Sequence, residues 1–216
     1  MLLSLRSMLH IKNFSKRYQD YLVISIDALT ISTGVNWLKG ENGAGKTSFF
    51  KSLAGIIPFD GDISIGTINL KKEPIAFRKL VNYSEAEPLF PEFLTAKDII
   101  RFIGKTKGAT PAQQDDYCRL LGIDQYFTKS CGTFSSGMLK KLSLATAFIG
   151  NPKLIILDEP LVTLDEGARA VLMSMIQEKL MDPTVTFLLS SHQSMDSTSI
   201  PLRNIYRIHN KTIEQQ

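Results

Sequence analysis

The chain has 216 residues, enough for one large domain or a core with a subdomain. Its 44% hydrophobic and 21% charged residues exclude a disordered or low-complexity chain. The net charge of +4 comes from 25 basic and 21 acidic residues that are scattered along the chain. They form no dense basic stripe of the kind that binds nucleic acid, so no nucleic-acid partner is expected.

No apolar run has the length of a membrane span. The opening Met1–Arg6 is apolar but too short for a signal peptide, and its charge follows the leucines instead of preceding them. Cys118 and Cys131 lie far apart without metal-ligand spacing, and two thiols in a reducing compartment are the simpler reading. A cytoplasmic protein is expected, and any work at a membrane is by docking.

In chain order, His10–Phe14 and Leu22–Ile26 read as opening strands, and Val35–Lys39 as a strand entering a glycine-rich turn. Ser48–Leu53 reads as the helix that leaves the turn. Gly61–Gly66 alternates as a half-exposed antiparallel strand does. Leu80–Tyr83, Leu154–Leu157 and Val185–Leu189 are apolar on both faces, as strands at the parallel centre of an α/β sheet are. Between the first two of these, residues 95–128 turn to helical spacing, with Ile99, Ile100, Phe102 and Ile103, then Tyr117, Leu120 and Leu121. This block reads as a helical subdomain inserted into the core. Gly137–Phe148 is a further predicted helix, and Ala168–Leu180 another, stopped by Asp182-Pro183. Asn204–Ile208 and Lys211–Ile213 close the chain as a hairpin.

The turn Gly40-Glu41-Asn42-Gly43-Ala44-Gly45-Lys46-Thr47 fits the phosphate-binding P-loop, G-x-x-x-x-G-K-[ST], with strand before and helix after. Glycines let successive N–H groups face a polyphosphate, and the start of the helix at Ser48 adds free donors and a favourable dipole. Lys46 supplies a point charge for β- and γ-phosphates, and Thr47 a hydroxyl for Mg²⁺. Leu154–Leu157 then delivers Asp158 and Glu159 to the carboxyl edge of the sheet, paired with a P-loop on a neighbouring strand. Asp158 can hold Mg²⁺ through its water shell, and Glu159 can orient and deprotonate an attacking water.

Phe134-Ser135-Ser136-Gly137-Met138 precedes that strand by about twenty residues and opens a helix. The order of P-loop, serine–glycine turn, apolar strand with Asp158-Glu159, then Ser191-His192 resembles the ATP-binding subunit of ABC transporters. The resemblance spans nearly the whole chain. It implies an α/β fold: a P-loop NTPase core with a central, mostly parallel sheet, an antiparallel β subdomain, and a helical subdomain at about 89–150, in one domain of residues 1–216. It implies ATP and Mg²⁺ as ligands and ATP hydrolysis as the activity. It implies further that two subunits sandwich two ATP molecules and drive a separate membrane-spanning permease from the cytoplasmic face. Tyr18, in Lys16-Arg17-Tyr18, matches the aromatic that stacks on adenine, with Tyr21 as competitor. Ser135 and Gly137 match the signature turn that a partner's γ-phosphate meets. Asp165, after Leu164, matches the loop crossing the dimer interface, and His192 the switch histidine.

Two departures stand out. The signature is usually Leu-Ser-Gly-Gly-Gln; here Phe134, Ser136 and Met138 replace three of its residues. Ser136 adds a side chain where the backbone is tight. Met138 with Lys140-Lys141 points toward exporter-type subunits. The second departure is Ala86, which stands where the family has a glutamine that binds Mg²⁺ and senses the membrane partner. Glu85 or Glu87 beside it is a candidate stand-in for the metal shell; otherwise hydrolysis is slow or coupled differently. That departure keeps a second reading open, a soluble ATP-dependent switch or assembly factor without a transport role. Trp37 reads as core, and His10 and His209 as ordinary strand and turn residues.

Overall fold

The computed structural model describes residues 8–191 and 201–216. The chain opens with β1 (Leu9–Tyr18) and β2 (Tyr21–Ile31), followed by β3 (Gly34–Lys39), α1 (Lys46–Leu53), β4 (Asp60–Ile65) and β5 (Ile68–Asn69). Then come α2 (Pro74–Leu80), β6 (Val81–Ser84), α3 (Ala96–Lys107), α4 (Pro111–Leu120) and α5 (Ser136–Phe148). The remainder is β7 (Leu154–Leu157), α6 (Glu166–Lys179), β8 (Thr186–Ser190), β9 (Leu202–His209) and β10 (Thr212–Gln215). Every strand expected from the sequence is present, most of them longer at one or both ends. The short α2 and β5 had no periodic signal of their own.

Two sheets form. β2-β1-β4-β5 is antiparallel, and β10-β9-β3-β8-β7-β6 is parallel apart from the terminal hairpin. The strand carrying the P-loop is therefore not next to the strand carrying Asp158. β8 lies between them, which corrects the expectation of direct neighbours. Parallel strands need crossovers that bridge over a partner, so sequence proximity of motifs does not set sheet order.

The period of two along each central strand divides the core. Leu154 and Ile156 of β7, with Leu188 of β8, pack toward α1 and the antiparallel sheet. Ile155 and Leu157, with Phe187 and Leu189, pack toward α3 to α6. All are buried, as strands covered on both faces must be. The inserted helices are firmly begun. Thr95 and Asp98 form a reciprocal capping box at α3, and Gly108 ends that helix at φ 66. Cys118 and Cys131 are both free thiols and buried. Trp37 is in the core. Among the described residues no helix is long and apolar enough to cross a membrane.

Candidate functional site

β3 ends at Lys39 and α1 begins at Lys46, so the P-loop is the turn between them. Gly43 and Gly45 hold φ values of 78 and 103, which side chains of L-residues resist. At Gly45 there is also no room, since a Cβ would lie 2.7 Å from Val23 Cγ1. Gly45 caps α1 without a side-chain hydrogen bond, and the first turn holds no acidic residue. The helix start keeps its donors and its positive dipole end for an anion.

Lys46 is buried, and its ammonium donates back to the loop carbonyls of Gly40 (2.8 Å) and Glu41 (3.1 Å). Burial pushes its pKa down, while the carboxylates of Glu159 and Asp158 pull it up. Thr47 Oγ1 donates to Asp158 Oδ2 at 2.6 Å, joining the helix start to the end of β7. Asp158 is almost wholly buried. Its Oδ1 accepts from Ser190 Oγ at 2.5 Å, and its Oδ2 also lies 3.4 Å from the Tyr83 hydroxyl. Burial pushes the Tyr83 phenol up, with Asp158 and Glu85 adding to it, so Tyr83 stays a donor. Ser190 Oγ in turn accepts from the Glu159 amide at 3.0 Å. Glu159 stands at φ 45, a conformation that costs a non-glycine residue about 1–2 kcal/mol.

Gly43, Gly45, Lys46, Thr47, Asp158 and Glu159 line one open cleft of about 530 Å³, together with Tyr18, Tyr21, Asn42, Ser48, Ala86 and Glu87. Tyr18 lies under Lys16 Nζ (4.4 Å to the ring) and its hydroxyl is 3.3 Å from Ser48 Oγ. Tyr21 lines the same cleft, so both tyrosines stand at its mouth. Gly40 and Ala44 line a larger, adjoining depression of about 680 Å³, beside Arg207 and Lys211, which shares Tyr21, Val23 and Gly43 with the cleft. It contains neither Asp158 nor Glu159 and is not where the chemistry converges.

Glu85 is diverted from the cleft. Its carboxylate pairs with Lys51 Nζ of α1 at 3.0 Å, leaving Glu87 as the acidic residue of that turn that lines the cleft. Ser135 caps α5 by accepting from the Met138 amide, and Asp165 caps α6 by accepting from the Ala168 amide. With Gly137 they line a separate depression of about 470 Å³, where Lys141 Nζ also holds Asp165 at 2.8 Å. The tight position of this turn is Gly137, where a Cβ would lie 3.1 Å from the Thr163 carbonyl. Ser136, the residue expected to be crowded, is exposed. His192 lies outside the described residues.

Sequence reasoning missed Ser190 and Tyr83. The one signal for Ser190 was a polar residue ending an apolar strand; the place of β8 between β3 and β7 comes from the sheet order alone. Tyr83 reads in sequence as one more aromatic on a buried strand.

The family described as ABC transporter matches residues 28–162. The chain is 30% identical over 202 residues to the uncharacterized ABC transporter ATP-binding protein YxlF of Bacillus subtilis, covering 89% of this chain and 65% of that one. It is 32% identical over 167 residues to the cytochrome c biogenesis ATP-binding export protein CcmA of Legionella pneumophila, covering 75% and 80%. A structure titled as the ATP binding subunit of an ABC transporter superimposes with a TM-score of 0.85 at 25% identity, covering 97% of this chain and 89% of that one. The P-loop, the Asp158-Glu159 strand and the serine–glycine turn thus stand on the fold their order implied, and the chain belongs to the ABC transporter family as an ATP-binding domain of the ABC ATPase type.

Proposed function

We propose that this chain binds and hydrolyses ATP in the Thr47–Asp158 cleft to power a separate membrane-spanning permease. On this reading residues 1–216 are one ATP-binding domain with its helical subdomain at about 89–150. The observation that carries it is the 2.6 Å contact of the Thr47 hydroxyl with the Asp158 carboxylate, in a cleft that Lys46 and Glu159 also line.

That pair fits Mg²⁺. Both are hard oxygen donors, and Mg²⁺ at nucleotide sites takes one or two protein groups plus phosphate and water. Thr47 and Asp158 would hold it; what it supplies when bound is neutralisation of charge on the β- and γ-oxygens. The P-loop amides and Lys46 hold the phosphates, and Tyr18 receives the adenine. The water oxygen bonds to the γ-phosphorus as the bond to the bridging oxygen breaks. ADP leaves, and Glu159 takes the proton of the water.

The separation of the cleft from the Ser135–Gly137–Asp165 depression supports a second ATP-binding subunit. Each depression offers half of what a phosphate chain needs: one a P-loop and carboxylates, the other a helix start. Leu89 and Phe93 support a permease partner on the cytoplasmic face of the membrane. They are 88% and 81% exposed, and Leu89 stands two residues beyond Glu87 of the cleft, so docking there touches the turn that lines it. The word export in the name of the Legionella relative supports an exporter-type complex.

The test is Glu159→Gln, which keeps the shape and removes the base. ATP affinity is expected to hold while turnover falls about 10²- to 10⁴-fold. Unchanged turnover removes Glu159 from the role. Capture from native membranes in mild detergent is expected to bring down a polypeptide with several membrane spans; capture of soluble proteins alone favours the switch reading instead.

A further inference from the structure

Lys140 is 0% exposed, and lysine is almost never fully buried. It lies in the second turn of α5, whose start carries Ser135 and Gly137. Its ammonium donates to three main-chain carbonyls: Glu85 at 2.6 Å, Asp158 at 2.9 Å and Ala86 at 3.3 Å. An ammonium has three N–H groups, so its donors and these acceptors match one to one. The acceptors belong to two different strand ends. Glu85 and Ala86 follow β6 and lead into the turn that lines the cleft. Asp158 follows β7 and carries the carboxylate that Thr47 meets.

Stability alone does not account for this arrangement. Replacing buried charge by an apolar side chain of similar volume is often neutral or stabilising. What the lysine adds is position: one side chain fixes three backbone segments relative to one another. Ala86 has no side chain with which to reach anything in the cleft, so its turn must be held from behind. Lys140 holds it from α5, and the Glu85–Lys51 pair holds it from α1.

We propose that Lys140 is a positioning residue for hydrolysis, tying the signature helix α5 to both the Ala86 turn and the Asp158–Glu159 end of β7. This rests on the ATPase reading above. With the ammonium in place, Asp158 keeps its carboxylate on Thr47, and the base after it keeps its aim. A shift of α5 is carried to both segments through the one side chain. A displacement of about 1 Å in such a constellation costs on the order of 10²-fold in rate.

The experiment compares wild type with Lys140→Met and Lys140→Arg. Steady-state ATPase kinetics and equilibrium ATP titration are read beside amide hydrogen exchange of residues 85–88 and 159–162. For Lys140→Met, kcat is expected to fall about 10- to 100-fold while ATP affinity stays within about threefold, and exchange in both segments to rise. Lys140→Arg, which keeps the charge and donors, is expected to recover part of kcat. Should Lys140→Met not fold, Lys140→Gln carries the same comparison. Turnover of Lys140→Met within about threefold of wild type overturns the proposal. So does a parallel loss of affinity and kcat that arginine does not rescue, because the lysine then only holds the fold. If the wild-type protein has no ATPase activity, the ATPase reading fails by itself. Exchange then decides alone: unchanged rates at 85–88 overturn the tie, and raised rates uphold it.

Discussion

Gly45→Ala tests how tightly the P-loop is built. Gly45 stands at φ 103, and an added Cβ meets Val23 Cγ1 at 2.7 Å and Ile24 Cδ1 at 3.3 Å. The left-handed conformation costs an L-residue about 1–2 kcal/mol, and overpacking against a β-strand side chain about 1–3 kcal/mol. Together they give about 2–5 kcal/mol, and a domain of this size loses about 2–4 °C of Tm for each. Thermal denaturation should therefore show a drop of about 4–20 °C. The two contributions are separable, because Val23→Ala removes the clashing methyl and leaves φ untouched. The double variant should recover the packing share and keep the backbone share. ATP affinity should fall in the single variant, since Gly45 is the cap whose shape sets the first amides of α1. A Tm within about 1 °C of wild type, or a double variant no better than the single one, would refute the reasoning.

Two further outcomes follow from the same structure. Gly137→Ala places a Cβ 3.1 Å from the Thr163 carbonyl, in the depression away from the cleft; ATP affinity of the isolated chain should be unchanged while turnover falls at least about tenfold, as equilibrium titration and an ATPase assay would show. Asp182 is held down at about 2 by hydrogen bonds from Lys153 and Thr184, against an ordinary 3.8. A depressed carboxyl contributes stability that is present above its unfolded value and lost as pH falls through the folded one. Asp182→Asn should therefore lower Tm by a constant, modest amount at neutral pH, and the difference from wild type should vanish as pH falls from about 4 to 2. A difference that persists at the acid end refutes the assignment.

The parts of this molecule that were legible in the sequence are those set by local pattern. The P-loop strand and helix, the apolar runs of β7 and β8 and the capped helices each follow from spacing and residue type within a few positions. What was not legible depends on which strands become neighbours. Ser190 reaches Asp158 only because β8 is inserted between β3 and β7. Tyr83 reaches the same carboxylate because β6 lies on its other side. Neither residue carries a spacing rule, since 32 and 75 positions separate them from Asp158. The same holds for Glu85, whose charge suited a metal shell until α1 was seen to present Lys51 to it.

The Ala86 turn is where these contacts meet. On the proposed reading, the turn that lines the cleft and carries exposed Leu89 just beyond transmits contact with a permease to the site. A side chain at position 86 reaching into the cleft would be one way to do so. Alanine removes that route, and transmission then has to run through the main chain. The main chain here is tied on both sides, by Lys140 to its carbonyls and by Lys51 to the neighbouring carboxylate. A turn so held moves as a unit with α5 and the end of β7, and not as a loop that reports by its own flexibility. Lys51→Ala separates the two ties. Its pair is half-exposed, so stability should change by no more than about 1 kcal/mol. Turnover should fall less than in Lys140→Met, because the Asp158 carbonyl keeps its donor. If Lys51→Ala abolishes turnover while Lys140→Met leaves it intact, the turn is positioned from α1 and the main-chain route through α5 is wrong.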